Sequence, residues 1–122
     1  MQLRRVVVTG MGVLTPIGNN LSAFLSALQT GQSGAGLITH FDTTKFKTKI
    51  ACEIKGFDIS EFYDRKEAKR FDVFAQYAMV AADEAVRNAN FNDSLNKDRV
   101  GVIFSSGIGG LRMIEEEYSQ YY

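Results

Sequence analysis

The chain has 122 residues with 14 basic and 14 acidic side chains, and this zero net charge gives no overall field to attract nucleic acid or an anionic membrane. A hydrophobic content of 45% excludes a disordered chain, and no apolar run approaches the roughly 20 residues that cross a bilayer. A single cysteine excludes an internal disulfide and, with no secretory signal pattern at the start, predicts a reducing, cytoplasmic setting.

The first predicted element is a strand that contains Val6, Val7 and Val8. Three consecutive β-branched residues favour a strand buried on both faces, as in the interior of a sheet covered by helices. Gly10 and Gly12 follow and predict a sharp turn at the carboxyl end of this strand, where open α/β sheets place their sites. The turn is therefore a candidate site.

A helix is predicted after the turn, with Asn19 or Asn20 as its N-cap and Gly31 just beyond its end. Its apolar side chains recur with the spacing i, i+3, i+4 and i+7, which is typical of one helix face. These side chains are Leu21, Phe24, Leu25 and Leu28.

Alternation over residues 49–55 predicts a half-buried strand, with Cys52 between Ile50 and Ile54 on its inner face. Burial and the neighbouring Glu53 both oppose formation of a thiolate, so Cys52 is interpreted as a buried structural thiol and not as a nucleophile.

Residues 64–90 are predicted to form a short capped turn that leads into a long helix starting near Asp72. A broad apolar stripe along this helix indicates that it is packed in an interior. The stripe consists of Phe71, Phe74, Ala78, Ala81, Ala85 and Ala89, and Val73, Tyr77 and Val80 widen it.

A polar loop over residues 88–98 precedes a third predicted strand at residues 100–104, a second glycine turn at 105–110 and a last helix. The apolar stripe of that helix contains Leu111, Ile114, Tyr118 and Tyr121. Three strands provide too little sheet to cover the predicted helices, so we expect the chain to be part of a longer protein.

The first glycine turn invites comparison with the dinucleotide-binding fingerprint, in which three glycines place a pyrophosphate at a helix N-terminus. Thr15 stands at the third glycine position and Pro16 follows it. No second strand ends in an acidic residue about 20 positions later. A nucleotide-binding α/β module is therefore disfavoured against a tight turn that holds no ligand.

Ile108 is isolated among glycines in the segment Ser106-Gly-Ile-Gly-Gly110. Such a segment allows either close approach of a ligand to the backbone or simply unusual dihedral angles. The Ile108 side chain could be wedged against a bound apolar group, with plain packing as the alternative. His40, the only histidine, has no second histidine for a metal pair and is interpreted as a loop residue.

The basic patch, which consists of Arg65, Lys66, Lys69 and Arg70, concentrates positive charge in a chain that is neutral overall. One interpretation is a solvated helix face. The other is a docking surface for an acidic partner.

Several of these segments, taken in order, resemble the N-terminal portion of bacterial β-ketoacyl-acyl-carrier-protein synthase II enzymes. The resemblance lies in residues 6–18, 31–34, 40–42, 65–67 and 106–110. It implies an α/β chain that forms the N-terminal part of a thiolase-like layered αβαβα fold, incomplete here. Residues 1–122 would then be the first portion of the synthase N-terminal domain, under a third of the enzyme, which is a homodimer.

The reaction implied by the resemblance is a decarboxylative Claisen condensation that extends a fatty acyl chain, so the enzyme would be an acyltransferase. The family's catalytic cysteine and two histidines lie beyond residue 122, and Cys52 matches none of them. The chain alone is therefore expected to be inactive. No metal or redox cofactor is implied, because the two histidines stabilise the developing oxyanions by hydrogen bonding. The substrates are carried on the phosphopantetheine of acyl carrier protein.

The resemblance also assigns roles to residues that are present. Ile108 matches the gate of the acyl pocket, while Lys66, Lys69 and Arg70 match the surface that docks the acidic carrier protein. An alternative within the same fold is a non-catalytic partner subunit of the chain-length-factor type, which lacks the nucleophile.

Overall fold

The computed structural model describes residues 3–91 and 95–121, which contain four α-helices and one short antiparallel ladder. The helices are α1 (Leu21–Gln29), α2 (Arg65–Ala68), α3 (Val73–Ala89) and α4 (Leu111–Tyr121). The ladder pairs β1 (Gly36–Leu37) with β2 (Ile50–Ala51), and single 3-10 turns occupy Ile59–Glu61 and Lys97–Arg99. The centre of the predicted 88–98 loop lies outside the described residues.

The predicted helix starts are confirmed by side-chain caps. The Asn20 carboxamide oxygen accepts a hydrogen bond of 2.9 Å from the Ala23 N–H at the start of α1. Asp64 and Asp72 cap α2 and α3 in the same way. Gly31 follows α1 with a φ of 66°, a left-handed conformation that glycine adopts without steric cost.

Gly10 and Gly12 lie against α3, where the stripe of small side chains lets two backbones approach closely. A Cβ atom added to Gly10 would lie 2.6 Å from the Ala89 nitrogen, and one added to Gly12 would lie 2.6 Å from the Ala85 nitrogen. Neither glycine has a positive φ, so close packing and not backbone conformation requires glycine at both positions.

Glu84 joins three elements through one carboxylate. Its Oε2 atom accepts a hydrogen bond of 2.9 Å from the Val13 N–H, and its Oε1 atom accepts one of 2.8 Å from the Leu21 N–H. Val13 belongs to the turn after the first extended segment, and Leu21 is the first residue of α1. This half-buried side chain on α3 therefore fixes both neighbours.

The strands predicted at residues 6–8 and 100–104 are not formed within the described chain. Val6 is 91% exposed and Ile103 is 98% exposed, and neither segment belongs to a ladder. The prediction of burial on both faces is therefore wrong for this chain. The physical reason is that no strand among residues 3–91 and 95–121 lies beside either segment to complete a sheet.

The strand predicted over residues 49–55 is also shorter than expected, because only Ile50 and Ala51 pair with β1. Ile50 and Cys52 are exposed, so the prediction of a buried thiol is wrong. Glu53, on the other face, has a defined partner, because its carboxylate accepts a 2.8 Å hydrogen bond from the Thr39 hydroxyl. That bond, opposed by partial desolvation, holds the pKa of Glu53 below its ordinary value.

Candidate functional site

The basic patch lies on α2 and the corner that follows it. Lys66, Lys69 and Arg70 are all exposed, and no carboxylate in the described part of the chain pairs with any of them. Asp64 begins this segment by accepting a 2.8 Å hydrogen bond from the Lys66 N–H. The three cations therefore form a surface whose charge is available to a partner.

The corner between α2 and α3 is held by one amide side chain. Gln76 Nε2 donates to the Ala68 carbonyl at 3.1 Å and to the Phe71 carbonyl at 2.9 Å. Ala68 is only 3% exposed and packs under the patch. The backbone that carries the cations is therefore held in one conformation by these bonds. Less conformational entropy is then lost when a partner docks.

A groove runs from the patch toward the start of α4, and Lys69, His40, Tyr77 and Arg112 are among the residues that line it. Burial raises the pKa of the Tyr77 phenol, so its ionised form is disfavoured in this groove. The hydrogen bond from Arg112 Nε to Glu116 Oε1, at 2.6 Å, raises the pKa of the Arg112 guanidinium. Arg112 therefore lines the groove as a guanidinium whose charge is paired with Glu116.

Ile108 lies in the 105–110 turn and is 82% exposed. Gly109 has a φ of 71°, and its N–H donates to the Ser106 hydroxyl at 3.2 Å. This hydrogen bond spans Ile108 and holds the turn around a side chain that is mostly exposed. The structure places the basic patch before α3 and this turn before α4.

Asp72 lies between the basic patch and the 105–110 turn, and the sequence predicted only that a helix starts near it. Its Oδ1 atom caps α3 by accepting from the Phe74 N–H at 3.3 Å, which confirms the predicted start of the helix near Asp72. Its Oδ2 atom accepts a second hydrogen bond of 3.3 Å from the Met113 N–H, 41 positions away on α4. No local pattern signals this second bond, because it depends on how two helices meet.

The first glycine turn does not have the geometry of a phosphate cradle. A dinucleotide fingerprint uses the helix N-terminus to bind an anion. At α1 the Leu21 N–H is already bonded to the Glu84 carboxylate. A pyrophosphate at the same place would meet that negative charge, so the structure weighs against nucleotide binding there.

The remaining sequence candidates are not brought into one site. His40 lies 3.8 Å from Glu53, as the Nε2 to Oε1 distance, while Cys52 is a free, exposed thiol. Within residues 3–91 and 95–121, no three histidine, cysteine or acidic side chains are grouped to hold a metal ion. No helix in that part of the chain has the length and apolar character to cross a membrane.

Comparison with known proteins identifies the class. Residues 3–122 match the family described as Beta-ketoacyl synthase, N-terminal domain, which covers almost the whole chain. The chain therefore belongs to the β-ketoacyl synthase family. This membership confirms the expected family and the expected thiolase-like α/β fold class.

Individual relatives show which members of the family the chain is similar to. The chain is 46% identical over 116 residues to the 3-oxoacyl-[acyl-carrier-protein] synthase 2 of Vibrio cholerae, covering 94% of this chain and 28% of the relative. It is 42% identical to the enzyme of the same name from Synechocystis, with coverage of 96% and 28%. The Staphylococcus aureus protein of that name is 44% identical, with coverage of 98% and 29%. The chain thus spans less than a third of the length of these relatives.

Two solved structures share the fold. The ishigamide ketosynthase/chain length factor superposes with a TM-score of 0.67 and 37% identity, over 73% of this chain and 22% of that one. A type II polyketide synthase acyl-carrier protein in complex with its ketosynthase, bound to the hexaketide, gives a TM-score of 0.50 at 23% identity, covering 78% and 23%. The second likeness concerns the fold alone.

Proposed function

We propose that the chain is the N-terminal part of a 3-oxoacyl-acyl-carrier-protein synthase that extends fatty acyl chains. The observation that carries this proposal is the identity of 46% to the Vibrio cholerae synthase 2 across 94% of the chain. Enzymes of that name from two further bacteria agree over nearly the same residues.

The proposed reaction is a decarboxylative condensation. A cysteine thiolate displaces the carrier thiol and takes the acyl group as a thioester, malonyl carrier protein loses carbon dioxide, and the resulting carbanion attacks that thioester and expels the thiolate. Two histidines would donate hydrogen bonds to the developing oxyanions. The sequence holds one histidine and one cysteine, so at least the second histidine must come from outside the 122 residues. We propose that all three groups lie there, as the resemblance implies.

The basic patch is proposed as the docking surface for acyl carrier protein, through Lys66, Lys69 and Arg70. Support comes from their exposure and from the absence of an intrachain partner in the described residues. An acidic carrier protein would supply the missing negative charge. Complementary charge of this kind increases the association rate and fixes the orientation of the partners.

Ile108 is proposed as the gate of the acyl pocket. Its support is an apolar side chain that is 82% exposed on an ordered turn, where an acyl chain could cover it. The proposal requires no metal or redox cofactor, because the two histidines stabilise the developing oxyanions and the condensation changes no oxidation state through an external redox partner. It further includes a homodimer and a cytoplasmic setting.

The function is tested with the intact protein, supplied with acyl and malonyl carrier protein. Release of carbon dioxide together with a 3-oxoacyl product is expected. A protein with no cysteine at the position aligned with the relatives' nucleophile, and no product, would instead be a partner subunit of the chain-length-factor type.

Reversal of charge at Lys69 and Arg70 tests the docking surface. The double substitution Lys69→Glu and Arg70→Glu should raise KM for the acyl carrier substrate by about tenfold or more while kcat changes little, because rim charges act on association. The effect should weaken as salt screens the charges.

The matched control reverses two exposed lysines outside the patch, Lys45→Glu and Lys47→Glu, which changes the net charge by the same amount. Equal rises in KM for both variants would show that only net charge matters. That result would return the basic patch to a solvated helix face.

A further inference from the structure

The start of α4 is fastened to the start of α3 by a single carboxylate. Asp72 Oδ2 accepts a 3.3 Å hydrogen bond from the Met113 N–H, while Oδ1 accepts one of the same length from the Phe74 N–H. Met113 is the third residue of α4, so its N–H has no acceptor four residues earlier within that helix. Asp72 therefore satisfies one unpaired donor at the N-terminus of each helix.

The same contact draws the end of the 105–110 turn onto α3. A Cβ atom added to Gly110 would lie 3.8 Å from Asp72 Oδ2, and one added to Gly109 would lie 3.5 Å from the Phe74 ring. On the other side of Ile108 the space is open, since a Cβ atom at Gly107 would meet nothing within 4 Å. The turn is thus anchored at its C-terminal end and open at its N-terminal end.

Ile108 has no packing of its own to fix its direction, because 82% of its surface is exposed. The backbone of the 105–110 turn determines the position of this side chain. That backbone is held by the hydrogen bond between α4 and Asp72. We propose that Asp72 is a positioning residue that determines acyl-chain selectivity by holding the turn that carries Ile108. This inference rests on the proposed gating role of Ile108, and it assigns no contact between Asp72 and substrate.

Two substitutions of Asp72 each leave only one of its two hydrogen bonds in place. Asparagine keeps one carbonyl oxygen, so whichever way its amide lies it can accept from only one of the Phe74 and Met113 N–H groups. Serine is a good N-cap for α3 but is too short to serve α4 as well. Both variants should therefore fold, because helix capping is largely retained.

The experiment measures kcat/KM of the intact enzyme for one short and one long acyl carrier substrate. In Asp72→Asn and Asp72→Ser the ratio of kcat/KM for the two substrates should move toward one by about threefold or more. A change of this size corresponds to the lower range of coupling energies between residues in contact. The control is Asp58→Asn, because Asp58 accepts through Oδ1 alone and caps only its own 3-10 turn. Its ratio should stay at the wild-type value.

A double variant supplies a readout that a purely structural role would not move. Ile108→Phe alone should depress elongation of the long substrate, because the larger ring obstructs the pocket. Adding Asp72→Ser should restore part of that activity, because serine does not reach the Met113 N–H and the freed turn lets the ring move aside.

The outcomes are distinct. A wild-type enzyme that does not condense its substrates overturns the proposed function itself. A wild-type enzyme that condenses them, combined with an unchanged ratio in both Asp72 variants or equal losses for both substrates, overturns the positioning role.

Discussion

At the scale of single residues, two carboxylates connect parts of the chain that are far apart in sequence. Glu84 bonds the Val13 and Leu21 N–H groups, and Asp72 bonds those of Phe74 and Met113. Each side chain uses both oxygens, and hydrogen bonds to a charged acceptor are stronger than neutral ones. Only the capping half of the Asp72 role follows from sequence spacing, because the other three bonds depend on tertiary contacts.

Removal of one acceptor from Glu84 should destabilise the protein measurably. Glu84→Gln leaves either the Val13 or the Leu21 N–H without a partner in a half-buried place, which costs about 1–3 kcal/mol of unfolding free energy. Denaturant unfolding measures this loss. The control on the same helix is Asp83→Asn, which removes an exposed ion pair of 3.0 Å with Arg87 and should cost about 0.5 kcal/mol or less. Equal losses would show that Glu84 does not join these elements.

At the scale of elements, the helices follow from local signals and the strands do not. The N-caps Asn20 and Asp72 lie a few residues from the groups they bond, so sequence spacing was sufficient to predict both helices. A strand is stable only beside another strand, and residues 6–8 and 100–104 have none within the described chain. Their β-branched residues therefore indicate a preference for strand structure, but the described chain provides no neighbouring strand with which they could pair.

The packing of the first turn on α3 gives a sharp test at this scale. Gly12→Ala would place a methyl group 2.6 Å from the Ala85 nitrogen, so the turn must move away from the helix. Overpacking of this kind should lower the unfolding free energy by about 1–3 kcal/mol. Gly101→Ala is the matched control, because nothing lies within 4 Å of its added methyl group and its φ is not positive. A stability change no larger at Gly12 than at Gly101 would contradict close packing of the turn on α3.

At the scale of the whole molecule, the described chain buries little and exposes much apolar surface. Among residues 3–91 and 95–121, the buried apolar side chains are Ala27, Ala68 and Val80. The basic patch could be recognised in the sequence because charge clusters are local, while its docking role stays a prediction. The anchoring of the Ile108 turn could not, because it requires α3 and α4 to be placed in space.

The exposed segments predict how the 122-residue chain behaves when prepared alone. Exposed apolar segments that favour strand structure associate with one another, so the chain should form oligomers that grow with concentration and should bind a hydrophobic dye. Val7→Lys with Ile103→Lys should reduce both effects, because a charge on each segment opposes pairing of strand edges. Gln32→Lys with Gln120→Lys adds the same charge at exposed polar positions and should leave association largely intact. Sedimentation velocity distinguishes the two pairs, and equal suppression by both would assign the association to net charge instead of these segments.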